Sequence, residues 1–302
     1  MRACVAVITS HPMRFDASDS TNSSQVDDRR GSSGKIIGGG LGVVGVLAVV
    51  AFKLLSGDTA GAVATVSEAA RGAGTPKQEA PAPGSLEGSC EGVTSKTDDG
   101  KFIACVQNNV QSFWQKTLGS RYENGKLVLF TDATRSGCGA AQGSTGPFYC
   151  PADNQVYLDL GFFQDLQTKL KAKGGDFAEA YIVAHEYGHH VQTLLGTERK
   201  VRDLQARASK TDGNALSVKM ELQADCYAGV WGHSAFAGGK VDASEVGDAM
   251  DAAASVGDDR LQKAATGTVR PESFTHGTSA DRQKWFKIGF DGGDYTRCNT
   301  LD

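Results

Sequence analysis

His185 and His189 stand four residues apart in the run from Tyr181 to Gln192, and Glu186 follows the first of them directly. On a helix this spacing puts both imidazoles on one face, about one turn apart. Two nitrogens so placed can bind one tetrahedral cation, and Zn2+ is the usual occupant of a His-Glu-x-x-His arrangement. There Glu186 is the base that takes a proton from the water the metal activates. The pattern arises by chance in roughly one chain of this length in a hundred. The rival explanation is a polar helix face with a paired histidine. Context disfavours it: Gly174 and Gly175 break the chain, Asp176 is the expected N-cap, and Glu179 would complete a capping box. Gly196 sits where a C-terminal glycine ends a helix, and Ala178, Ile182 and Val183 carry the segment into a core.

A catalytic site of this type needs a third protein ligand. The stretch from Met220 to Gly229 offers Glu221 and Asp225, again four apart. Leu222, Tyr227, Val230 and Trp231 make this second helix largely buried, so its two carboxylates need partners. Glu221 is the expected third ligand. Asp225 is the expected carboxylate behind a ligand imidazole, with His185 as its partner. Gly188, Ala224, Ala228 and Gly232 are small enough to let the two helices approach closely.

The helices that position these groups belong to a chain that resembles a known family. The motif pair, with Gly-Pro-Phe-Tyr-Cys-Pro at 146–151 and Ser-Phe-Thr-His-Gly-Thr-Ser at 273–279, resembles the bacterial putative neutral zinc metallopeptidase family over roughly residues 85 to 302. That family is similar to the gluzincins, whose third ligand is a glutamate on a second helix. The resemblance implies an α+β fold: a mainly helical, zincin-like domain with a small β-sheet. It implies peptide hydrolysis without naming a substrate. It also implies a role for His276, because a histidine in a downstream loop donates to the oxyanion in related gluzincin sites. The alternative is that the loop only caps a helix at Thr278 or Ser279.

The 302 residues carry 31 basic and 35 acidic side chains, a net charge of −4 that gives no case for nucleic-acid binding. Residues 1–35 are polar and aperiodic and read as a disordered leader; Met13 looks more like a start than Met1. Ile36 to Phe52 is an uncharged apolar run, extended to 36–55 by Leu54 and Leu55. It reads as a short transmembrane signal anchor. Arg29, Arg30 and Lys35 before it place the N-terminus in the cytoplasm. A cleaved signal peptide, cut near Ala62-Val63-Ala64, is the alternative. Residues 56–89 read as a flexible linker, and 90–302 as the metallopeptidase domain. On either reading the domain lies outside the cytoplasm.

Seven cysteines fit that compartment. Of the fifteen pairings that six cysteines allow, proximity favours Cys90 with Cys105 and Cys138 with Cys150, leaving Cys226 for Cys298. A helix is expected over 102–118, strands over 126–130 and 155–160, a helix over about 161–173 capped by Asp159, and a polar helix over 197–210. The 138–157 segment is the candidate edge for an extended substrate; a hairpin with only a structural task is the alternative. His190 and His233 are expected to be structural or to support the metal ligands from behind.

These readings combine into a membrane-anchored zinc endopeptidase: His185, His189 and Glu221 hold Zn2+, and Glu186 and His276 act on a protein or peptide substrate. Two rivals remain, a catalytically silent zinc-bearing surface module and a zinc hydrolase of a cell-wall amide. The oligomeric state is left open.

Overall fold

The structure, a computed structural model, describes residues 12–17, 19–31 and 86–302. The expected membrane span at 36–55, most of the expected linker, Cys4 and His11 lie outside the described residues. Among the described residues no helix is long and apolar enough to cross a membrane.

Strands β1 (Ser20–Thr21) and β2 (Val26–Asp28) precede β3 (Gly88–Ser89) and helix α1 (Asp99–Leu118). Then come β4 (Lys126–Phe130), β5 (Ala133–Ser136), β6 (Gly139–Gln142), β7 (Phe148–Cys150) and β8 (Gln155–Asp159). The rest is helical: α2 (Gly161–Thr168), α3 (Asp176–Leu194), α4 (Thr197–Gln205), α5 (Lys210–Ala237), α6 (Ala243–Ser255), α7 (Asp258–Thr266) and α8 (Ser279–Gly292). The fold is α+β and mainly helical, as expected.

The main sheet has the order β2-β4-β8-β7. β2, β4 and β8 run parallel, and β7 runs antiparallel to β8 at one edge, with Phe148 opposite Tyr157. Leu127, Leu129, Val156 and Leu158 point into the main core, which explains why β4 and β8 read as nearly continuous apolar runs. α3 crosses the β7–β8 end of the sheet. Tyr187 fastens it by donating to the Gly125 carbonyl at 3.1 Å. Trp114 and Trp231 are the largest fully buried side chains.

Glycine sets two helix approaches. A Cβ on Gly188 of α3 would come within 2.9 Å of the Ala224 carbonyl oxygen on α5. Where α5 crosses α8, Gly229 and Gly289 face each other's helix backbone with no room for a methyl group.

Several expectations need correction. The leader is not disordered over 12–17 and 19–31. Met13 and Phe15 are buried, Phe15 against the Phe102 ring at 5.9 Å, and burial of two such side chains contributes about 1.5–3 kcal/mol each. Strands β1 and β2 join the domain's sheets, so the polar alternation that looked aperiodic is that of short edge strands. The linker reading also fails at 86–89, where Leu86 is buried and β3 pairs with β1. Asp176 is the first residue of α3 rather than its cap; the cap is Gly175, and Asp176 accepts from the Ser95 hydroxyl at 2.6 Å. The helix expected to 173 stops at Thr168, because Lys171 takes a positive φ and Gly174 and Gly175 follow. Asp159 still accepts from the Gly161 amide at 2.9 Å, although Leu160 is the cap residue. The helix expected over 197–210 ends at Gln205.

The disulfides are Cys90–Cys105, Cys138–Cys150 and Cys226–Cys298. The last ties the C-terminal residues to α5.

Candidate metal centre

Helices α3 and α5 bring His185, His189 and Glu221 to one point. His185 Nε2 lies 3.2 Å from Glu221 Oε2, and His189 Nε2 lies 3.4 Å from Glu221 Oε1. One ligand atom from each residue falls within 4.8 Å of the others. Two ligands about 2.1 Å from a tetrahedral zinc stand about 3.4 Å apart, so the donor set fits such an ion in type and in spacing. Charge fits as well. Burial alone would push the Glu221 carboxyl up, but His189 and His185 hold it well below its ordinary value. Burial would likewise lower His185, yet Asp225 and Glu221 raise it to about 10. The paired carboxylates call for positive charge at this point, which a proton supplies at one site and a divalent cation supplies to all three ligands.

Each imidazole is held from behind. His185 Nδ1 lies 2.8 Å from Asp225 Oδ1, so Nδ1 donates there and Nε2 is the nitrogen that faces the ligand cluster. Asp225 is fully buried. Its Oδ1 also accepts from Tyr181 at 2.5 Å and Arg282 Nη2 at 2.9 Å, and its Oδ2 from Arg282 Nε at 2.8 Å. Burial would raise Asp225, but Arg282 and His185 outweigh it and hold it at about 2. His189 Nδ1 donates to Gln192 Oε1 at 2.9 Å, and Gln192 is anchored by donating to the Met220 carbonyl at 2.7 Å and to Gln223.

Glu186 is 4 % exposed, and its Oε2 is buried with no hydrogen-bond partner. Burial raises its pKa, against the lowering effect of His185 and His189. A buried carboxylate oxygen left without a donor, next to the two imidazoles of the candidate centre, has the free acceptor capacity that a general base needs.

His276 lies in the loop before α8. The Asp258 carboxylate organises that loop, with Oδ2 accepting from the amides of Thr275, His276 and Gly277 at 2.7, 2.6 and 3.1 Å. Asp258 Oδ1 lies 3.1 Å from His276 Nδ1, leaving the buried Nε2 with no partner. Gly277 packs against Val218 and Leu222, which flank Glu221 on α5. Thr278 caps α8, its side chain accepting from the Asp281 amide. His190 is structural, bonding to the Glu123 carbonyl at 2.6 Å, and so is His233, on the Phe290 carbonyl at 2.7 Å.

Four supporting residues escaped the sequence reading: Tyr181, Gln192, Asp258 and Arg282. Tyr181 is four before His185 and Gln192 three after His189, so helical spacing could have found them. Asp258 and Arg282 carry no local signal, because they reach the site only through tertiary packing.

A profile described as putative neutral zinc metallopeptidase matches residues 13–301. The chain is 49 % identical over 223 residues to "Uncharacterized protein YpfJ" of Escherichia coli (strain K12), covering 72 % of this chain and 77 % of that protein. It is 41 % identical over 218 residues to "Uncharacterized protein Rv2575" of Mycobacterium tuberculosis (strain ATCC 25618 / H37Rv), covering 68 % of this chain and 72 % of that one. No solved structure matches. The chain therefore belongs to the putative neutral zinc metallopeptidase family.

Proposed function

We propose that the protein is a zinc-dependent endopeptidase. The observation that carries this reading is the convergence of His185 Nε2, His189 Nε2 and both Glu221 oxygens at 3.2 and 3.4 Å. Bound there by His185, His189 and Glu221, a zinc ion supplies a Lewis acid that polarises the scissile carbonyl and acidifies water. Glu186 Oε2 takes the proton of the attacking water and then delivers it to the leaving amine. His276, whose ring is held at Nδ1 by Asp258, turns Nε2 to the developing oxyanion as the donor. β7 is the antiparallel edge of the sheet beside α3, and an extended peptide adds to it by backbone hydrogen bonds.

The three disulfides support a domain that works outside the cytoplasm. An anchor at 36–55 rests on the sequence alone.

The test is turnover of casein and of peptidoglycan by the full chain, with and without chelator, beside Glu186→Gln. Casein cleavage that needs metal and falls at least about 10³-fold in Glu186→Gln, at unchanged zinc content, is the expected result. Wild-type turnover by Glu186→Gln would sink the mechanism, and chelator-sensitive cleavage of peptidoglycan alone would move the substrate to a cell-wall amide.

A further inference from the structure

The segment 12–31 is built into the same folded unit as 86–302. β2 pairs in parallel with β4, Val26 to Asp28 against Leu127 to Leu129, and the Arg29 amide continues the ladder to the Leu129 carbonyl at 2.7 Å. β1 pairs with β3, and the Thr21 hydroxyl bonds the Leu86 carbonyl. The Arg14 amide donates to the Lys240 carbonyl at 2.7 Å, Lys240 Nζ reaches Asp16 and Asp19, and Asn109 donates to Asp19 at 3.2 Å. Met13 and Phe15 lie in the main core.

The connection from 32 to 85 leaves and returns at one corner. The Arg30 guanidinium lies over Gly100, and Lys101 Nζ donates to the Glu87 carbonyl, so residues 30 and 87 meet consecutive residues at the start of α1. A chain that leaves a folded unit and returns to it crosses any membrane an even number of times. One crossing takes about 20 apolar residues, and two take about 40. The connection holds one such stretch, 36–55. Crossing once would put 12–31 and 86–302 on opposite sides and strip β2 from the sheet. Nor do the basic residues hold the leader back as bare charges: Arg29 pairs with Asp27 at 2.8 Å and Arg30 with Asp28 at 2.7 Å.

We infer that residues 12–31 lie on the same side of the membrane as the metal centre. The apolar stretch between them can then attach the protein to a bilayer from one face only. This replaces a signal anchor that has its N-terminus in the cytoplasm and its domain outside.

The test is thiol labelling of the full chain in spheroplasts. Cys4→Ser removes the one cysteine outside the three disulfides. Single thiols are then placed at exposed positions in each part, Ser24→Cys in the leader and Lys116→Cys on α1. A membrane-impermeant maleimide is expected to label both to within about twofold, either before lysis or only after it. Labelling of Lys116→Cys in intact spheroplasts with Ser24→Cys protected until lysis would overturn the inference. A second readout needs no membrane: Phe15→Ala in the purified full chain is expected to lower Tm by roughly 10 °C, and an unmoved Tm would also overturn it. Neither readout depends on zinc or turnover, so a failure here leaves the peptidase reading standing, and the converse holds.

Discussion

Arg282 places Nε 2.8 Å from one oxygen of Asp225, while the other oxygen of Asp225 lies 2.8 Å from His185 Nδ1. A residue of the last long helix thus reaches an imidazole of the candidate metal centre through one fully buried carboxylate. It gets there because Gly229 and Gly289 let α5 and α8 touch backbone to backbone. Breaking a buried ion pair from one side leaves an uncompensated charge, which costs about 3–5 kcal/mol. Arg282→Met is expected to destabilise the fold by that order in urea titration, and to weaken zinc binding about 10–100-fold in a competition assay. Zinc affinity equal to wild type would remove Arg282 from the support of the site.

Gln192 does for His189 what Asp225 does for His185, with an amide in place of a carboxylate. Its side chain accepts from His189 Nδ1 and donates to the Met220 carbonyl, linking α3 to α5 beside Glu221. Gln192→Leu removes these two bonds and the one to Gln223, in a position with no exposure. A loss of about tenfold in zinc affinity and about 1–3 kcal/mol in stability is expected, read by metal competition and by chemical denaturation.

Asp258 gathers three backbone amides and the His276 ring, so it separates the loop's shape from the metal's ligands. His276→Ala is expected to lower kcat about 10²–10³-fold with zinc content unchanged. Asp258→Asn replaces an acceptor oxygen with a donor and should lower kcat in the same direction, with a stability loss of about 1–3 kcal/mol. A full kcat in His276→Ala would leave the histidine a loop anchor only.

Glu179 tests the protein's pH dependence away from the candidate metal centre. Burial, then Asp99 and Asp176, raise its carboxyl from 4.5 to about 8. A raised folded pKa means that the unfolded chain ionises first as pH climbs. Stability linked to Glu179 is therefore complete below about pH 4.5 and lost progressively toward pH 8. Glu179→Gln should be more stable than wild type at pH 8, by about 4 kcal/mol, and nearly equal to it near pH 4.5. Thermal melts of both proteins across that range give the check, and a constant difference would contradict the shift.

Local spacing carried the chemistry of the centre. A period of 3.6 residues puts His185 with His189 and Glu221 with Asp225 on shared helix faces, and buried faces of that composition need one another. The strands at 126–130 and 155–159 were legible for the same reason, since apolar runs of that length bury as parallel strands. The disulfide pairing followed from short loops that leave one long-range pair over.

What only the tertiary structure decided lies far off in sequence. Arg282 and Asp258 meet the site through α8 and α7, and no periodicity along one helix reports a contact made by another. The leader is the plainest case. Short edge strands bury few side chains, so residues 19–31 look like a polar tail until β4 supplies the backbone partners that give them a place. An isolated strand has no hydrogen bonds of its own, and its order exists only in the sheet it joins.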